Sequence, residues 1–243
     1  LDESLRIRRE EQLPVYEELG DVRSKAVTLG RIADIFQARG ENDEALRIRR
    51  EEQLPVYARL RDVREHAVTL GRIADVLEDR GELDEALRIR RDETLLVYEK
   101  LGDVRSRAVT LDKIANVLQA RGEIDESLRM RREEVLPVFE KLGDVHSKAV
   151  TLDKIASVLQ ARGEIDEAIR IRRDDTLPVY EKLGLTRDLM VTRTNQASDL
   201  LRRATPSDRE EARNLLDLAL EDGVRLRMPE ADQIRKIRKH HGL

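Results

Sequence analysis

A four-residue block, Asp43-Glu44-Ala45-Leu46, returns as Asp84-Glu85-Ala86-Leu87, Asp125-Glu126-Ser127-Leu128 and Asp166-Glu167-Ala168-Ile169, each 41 residues after the last. It is preceded by Asp2-Glu3-Ser4-Leu5. A second block, Ala26-Val27-Thr28-Leu29, recurs with the same period at Ala67, Ala108 and Ala149. Self-similarity at such a period means that the chain is an array of one supersecondary unit, because a unit of this size cannot bury its apolar face except against a neighbour. Four full copies follow, 20–60, 61–101, 102–142 and 143–183, after a half copy at 1–19.

Each copy holds two amphipathic segments. In the first, helix A, Val22, Ala26, Leu29, Ile32, Ala33 and Phe36 follow the three-and-four spacing of one helical face. Asp21 is placed to cap its N-terminus, and Gly40 to end it in the left-handed conformation. The second, helix B, runs from near Asp43 to about Leu60 and ends at a Leu-Gly-Asp turn, with Arg61 in place of Gly in the second copy. Connections of two or three residues force A and B into antiparallel hairpins. Strand signals are absent. The expected fold is all-α, a right-handed α-solenoid of helix hairpins whose core is a line of Leu, Ile, Val and Ala.

Beyond Gly184 the pattern decays. Residues 187–203 still read as a helix A, although Arg193 and Gln196 stand where an earlier copy has Leu152 and Ile155. After the turn Thr205-Pro206-Ser207-Asp208, a B-like helix reaches about Arg227, completing a divergent repeat over 184–228. Pro229 is expected at the first position of a final polar helix, 229–243, which reads as the cap a solenoid needs. Residues 1–19 form a helix B without a helix A before it. That end is expected to expose an apolar face around Leu5, Ile7 and Leu13, so that the chain reads as a piece of something longer.

Aligned over Ile32-Ala33, Phe36, Gly40-Glu41 and Ala45, the sequence resembles the tetratricopeptide repeat (TPR) family. Leu77, Leu118 and Leu159 replace the aromatic in later copies, while Gly81, Gly122 and Gly163 keep the turn. The resemblance covers 20–183 well and 184–228 weakly. The 41-residue period is similar to the long-helix variety in bacterial sensor and signalling proteins, such as the maltose-regulon activator type, and in kinesin light chains. It implies a TPR-like superhelix binding a protein or peptide along a concave face of A helices. Carried over position by position, the groove residues are Arg31, Asp34 and Gln37; Arg72, Asp75 and Glu78; Lys113, Asn116 and Gln119; and Lys154, Ser157 and Gln160, joined by Asp112 and Asp153 where the first two copies have Gly30 and Gly71. The same residues read equally well as a solvated polar face.

Two departures from the family stand out. Arg49 and Glu52 occupy positions where the repeat has a large apolar and a small residue, and they recur as Arg90/Glu93, Arg131/Glu134 and Arg172/Asp175. On an α-helical wheel Arg49 falls between Ala45, Val56 and Leu60, within the apolar arc. A ladder of partly buried Arg–carboxylate pairs along the stacked B helices is therefore expected. The second departure is Pro55, matched by Pro14, Pro137 and Pro178 but by Leu96 in one copy. A proline there predicts a bend in helix B or a short break before it.

Other functions find little support. With no cysteine there is no disulfide framework and no thiolate metal site or nucleophile. The 46 basic and 50 acidic residues give a net charge of −4, against a general polyanion binder. The run Arg47-Ile48-Arg49-Arg50 suggests phosphate binding, but Glu51 and Glu52 follow at once and an ordinary i,i+4 pair accounts for it. His66 and His146 look like surface substitutions, and His240-His241 lie in a tail. No phosphate loop, zinc-protease helix or nucleophile elbow appears. The chain reads as no enzyme, with no cofactor, metal, nucleic-acid or membrane partner and a cytoplasmic location. Its expected partner is a protein or peptide. The competing expectation is a sensor or autoinhibitory arm that binds a small ligand or its own missing N-terminal domain, or that self-associates through the open N-terminal end.

Overall fold

The computed structural model describes residues 1–243. It is all-α, with 12 helices and no strand. The helices are α1 (2–18), α2 (Val22–Ala38), α3 (42–59), α4 (Val63–Asp79), α5 (83–100), α6 (Val104–Ala120), α7 (124–142), α8 (Val145–Arg162), α9 (165–183), α10 (Thr186–Arg203), α11 (Pro206–Arg225) and α12 (Glu230–His241). The chain divides into two compact units, Leu1–Glu123 with α1–α6 and Ile124–Leu243 with α7–α12. Each is a stack of antiparallel hairpins in which A-type helices alternate with B-type helices. No helix is long and apolar enough to cross a membrane.

The A helices start and stop for local reasons. The side chains of Asp21, Asp62, Asp103 and Asp144 accept hydrogen bonds from the backbone N–H three residues on, at 3.0, 3.1, 2.9 and 3.0 Å. Each such cap contributes about 1 kcal/mol. At the other end Gly40, at φ +78°, lets the Glu41 N–H reach back to the Phe36 carbonyl, 2.9 Å away. This closes the helix with a left-handed residue that glycine adopts without strain. Arg61 meets the same demand at φ +53° without that freedom.

Between these ends the repeated apolar positions form the core. In the first unit Leu29, Ile32, Ala33 and Phe36 pack with Ala45, Leu46 and Ile48 and with Leu70, Ile73, Ala74 and Leu77 of the next hairpin. Full burial of each Leu or Ile is worth about 1.5–3 kcal/mol, while the fully buried alanines let helices approach closely. Leu5 and Leu13 of α1 are half-buried against this core, so the face expected to stand open is partly covered from within.

The B helices are continuous where proline predicted a bend or break. Each contains a π-helical segment: Ile7–Gln12, Ile48–Gln53, Ile89–Thr94, Arg131–Val135 and Ile171–Thr176. The Leu54 N–H reaches the Arg49 carbonyl five residues back, and Pro55 follows as the second residue of the resumed α-helix. The π segment is also present before Leu96, so proline is not its cause.

The extra residue in the π turn resets the face of the helix. Four-residue steps drift by about 40° each on a regular α-helix. With the π turn inserted, Ala45, Arg49, Gln53 and Tyr57 are all buried. The same is true of Ala86, Arg90, Thr94 and Tyr98, of Ser127, Arg131, Val135 and Phe139, and of Ala168, Arg172, Thr176 and Tyr180. The α-wheel reading of Val56 and Leu60 as neighbours of Arg49 is corrected: Val56 is half-buried and Leu60 exposed.

The divergent repeat follows the same plan with polar fillings. Arg193 donates to Asp222 and Glu181 at 3.0 and 3.1 Å, and buried Gln196 donates to Glu211 at 3.2 Å. Thr205 and Asp208 form a capping box at the start of α11, with Arg203 bonded to the Asp208 carboxylate. The final helix starts at Glu230, with Pro229 just outside it as the N-cap rather than at its first position.

Candidate functional site

The arginine run of each B helix divides its three cations among three tasks. Arg47 stays on its own helix, bonded to Glu44 at 2.8 Å and to Glu52 at 3.0 Å. Arg50 reaches the next repeat, meeting Glu85 at 2.9 Å. Arg49, with 2% of its side chain exposed, turns inward across the hairpin to Asp34 of helix A, 2.6 Å away. The block that defines the repeat therefore supplies ties between repeats. Its Glu85 receives Arg50, and its Asp84 receives Arg121 at 2.7 Å. In the second unit Arg162 meets Asp125 at 3.1 Å. Such exposed pairs are individually worth well under about 1 kcal/mol.

The buried arginines are different in kind. Arg90 bonds Asp75 at 2.7 Å and Glu78 at 2.9 Å, and Lys113 of α6 joins Asp75 from its other side at 3.1 Å. Arg172, wholly buried, bonds Asp153 through Nε at 3.1 Å and Ser157 through Nη2 at 2.8 Å, and meets Asp199 through Nη1. The expected arginine ladder is present, but its partner carboxylates come from helix A rather than from Glu52 and its equivalents. Glu52, Glu93 and Asp175 pair instead with Arg47, Arg88 and Arg170 on the outer side of their own helices. The arginine follows the buried small residue by one four-residue step, and the wide π turn that begins there leaves the residue three further on outside.

Electrostatics differ between the units. Burial pushes the Asp75 carboxyl up, but the bond from Arg90 and the nearby Lys113 outweigh it and hold its pKa below the ordinary carboxylate value. Around Arg172 burial prevails, and both Asp153 and Asp199 are raised despite sharing that guanidinium.

This arrangement settles where the groove residues lie. In the first unit Arg31, Asp34 and Arg72 are exposed, while Gln37, Asp75, Glu78, Asp112, Lys113, Asn116 and Gln119 are half-buried. In the second, Asp153, Lys154, Ser157 and Gln160 are half-buried. Gln37 donates to Asp79 of the following A helix at 2.8 Å. Asp34, Asp75, Glu78, Asp153 and Ser157 therefore hold buried arginines in place as well as lining the A face. A resemblance-based transfer assigns them to recognition and misses that work. The signal for it was the constant arginine four residues after the B-helix small residue.

Between α4 and α6, within the first unit, the A face opens into a cleft of about 340 Å³. Its lining includes Gly71, Arg72 and Asp75 of α4, Arg105, Thr110 and Lys113 of α6, and Arg90, Thr94 and Tyr98 of α5 as its floor. Three of the groove residues, Arg72, Asp75 and Lys113, meet there.

No protein-family model matches the sequence, and no curated protein does. Solved structures do. The chain superposes on BtubC (BKLC) from P. vanneervenii with a TM-score of 0.73 at 17% identity, over 93% of this chain and 90% of that one. On the nearly identical TPR-like repeats of a Podosopora anserina chain of kinesin light chain type, the TM-score is 0.62 at 18% identity, covering 82% and 95%. At these identities the likeness speaks for architecture alone. The repeat that the sequence suggested is present in the protein, and the fold is a TPR-like solenoid of helix hairpins.

Proposed function

We infer that this chain is a protein- or peptide-binding scaffold, a piece of a larger bacterial cytoplasmic protein, and that partners engage the A-helix face. The observation that carries this reading is the way that face is built. Its carboxylates are anchored from beneath by buried arginines, whereas Arg31 and Arg72 stand exposed at the same position of successive repeats. A surface of fixed polar groups in repeat register suits an extended or helical segment of another chain. The two TPR-like structures above are consistent with a scaffold role and do not identify a partner.

The test is capture from a lysate of the source cell with immobilised 1–243, read by mass spectrometry. The control changes Arg31→Ala and Arg72→Ala only. Asp34 and Asp75 must stay, because removing them strands Arg49 and Arg90 and would confuse unfolding with lost binding. Proteins enriched by the native chain and lost in the control support the reading. Identical capture by both overturns it and favours an internal sensor or self-associating arm.

A further inference from the structure

The cleft between α4 and α6 exists because of two small residues that face each other. In the first repeat Gln53 fills the corresponding space: a Cβ added to Gly30 would meet its Nε2 at 2.4 Å, and that nitrogen is bonded to the Ala26 carbonyl at 3.0 Å. In the second repeat Thr94 replaces Gln53, and a Cβ on Gly71 would meet nothing within 4 Å. In the fourth repeat Asp153 stands at the position of Gly71 and Thr176 at that of Thr94.

The fourth repeat also shows what the open space is shaped for. There the Asp153 carboxylate accepts from Arg172 Nε at 3.1 Å. In the second repeat the equivalent Arg90 is 97% buried and its Nε has no hydrogen-bond partner; Arg49 Nε in the first repeat is likewise unbonded, but there Gln53 fills the space beside Gly30. The side chain that would supply one is absent from Gly71. A buried guanidinium N–H left unbonded is costly, the more so because it is charged. The surroundings leave a small excess of positive charge, since Arg72, Arg90 and Lys113 share the carboxylates of Asp75 and Glu78. Arg72, with 57% of its side chain exposed and 4.0 Å from Asp75, is the least tightly held of these cations. The first repeat carries nearly the same cations, but Gln53 closes it and Glu65 takes the place of Ser106.

We propose that this cleft binds a compact, doubly charged oxyanion, a phosphate monoester or a dicarboxylate, whose oxygen takes on Arg90 Nε the place that Asp153 takes on Arg172 Nε. Arg72 and Lys113, on the two facing A helices, close over the ligand's outer charge. Guanidinium donors suit such oxyanions because they present several N–H groups in fixed geometry. The site needs no bound protein partner, and although Arg72 serves both readings, Gly71→Asp tests the anion site alone.

Purified 1–243 is titrated at fixed ionic strength with inorganic phosphate in one arm and succinate in the other, followed by calorimetry and by amide chemical shifts of α4–α6. Saturable one-to-one binding of at least one anion is expected, with shifts centred on Gly71, Arg90 and Thr94. Gly71→Asp, which installs the carboxylate native to the third and fourth repeats, abolishes binding and raises the melting temperature of the ligand-free chain. Arg72→Ala, an exposed site that leaves the fold intact, weakens binding about tenfold or more, equivalent to about 1.4 kcal/mol. Absence of saturable binding in both arms overturns the proposal, and so does binding that survives Gly71→Asp unchanged in a folded protein.

Discussion

Replacing Asp75 with alanine isolates what the arginine ladder contributes. Arg90 is 3% exposed and is held by two carboxylates, Asp75 at 2.7 Å and Glu78 at 2.9 Å. Breaking a buried pair from the carboxylate side costs about 3–5 kcal/mol, because the remaining charge is left desolvated and unpaired. Here Glu78 remains, so Asp75→Ala is expected to cost about 2–3 kcal/mol, and Asp75→Ala with Glu78→Ala the full 3–5. The stranded cation, rather than the missing carboxylate, is the source of the loss. Adding Arg90→Met to the double variant should therefore restore stability to within about 1 kcal/mol of the native chain, since an apolar side chain of similar volume needs no partner. Urea unfolding followed by far-UV circular dichroism gives the global value, and amide exchange in α4 and α5 locates it, as arrays of repeats need not unfold in one step. If Asp75→Ala costs less than about 0.5 kcal/mol, the pair behaves as an exposed one and the reasoning fails. It fails equally if Arg90→Met leaves the double variant as unstable as before.

Equivalent glycines should respond with opposite sign. Gly71→Ala, with open space at its Cβ, should stabilise by about 0.5–1 kcal/mol through helix propensity, whereas Gly30→Ala displaces Gln53 from the Ala26 carbonyl and should destabilise unless Gln53→Thr is added; melting temperatures of the three variants check this. Arg61→Gly relieves a left-handed residue that costs about 1–2 kcal/mol. Part of that gain, about 0.4–1 kcal/mol, is lost to the freer unfolded chain. A small rise in melting temperature is expected, and a fall would refute the strain. In the second unit burial raises the carboxyls of Asp153 and Asp199 above the ordinary 3.8. Groups raised in the folded state stabilise it fully below their unfolded pKa and lose that contribution as pH rises through the folded value. Asp199→Asn should therefore flatten the loss of amide-exchange protection in α8–α10 as the pH is raised above the ordinary carboxylate range, and an unchanged slope would sink this account.

What could be read from the sequence, and what could not, divides along the π turn. The ends of α2 were legible, since Asp21 caps it and Gly40 follows it by interactions among neighbours in the chain. The burial of Arg49 was also legible, because it stands four residues after the buried Ala45, before the π turn displaces the rest of the helix. Its partner was not. Choosing Glu52 assumes 3.6 residues per turn through the B helix, and the π segment breaks that assumption between Ile48 and Gln53. Yet the irregularity left a trace. Ala45, Arg49, Gln53 and Tyr57 step by four, as do Ala86, Arg90, Thr94 and Tyr98, and a regular α-helix would carry the last of each set about 120° away from the first. A small residue, an arginine, a residue of variable size and an aromatic ring, recurring at strict four-residue steps in copy after copy, make sense only if the helix takes up one extra residue. The third member of that column is then the one free to vary. Gln53, Thr94, Val135 and Thr176 all occupy it, facing Gly30, Gly71, Asp112 and Asp153 in sequence order. Where both members of the pair are small, as in Thr94 with Gly71, the array opens a cleft at a buried arginine. Where either is large or acidic, as in Gln53 or Asp153, the space or the charge is taken. The constant arginines thus belong to the scaffold, and the pair of varying positions beside each one sets whether that repeat opens a cleft.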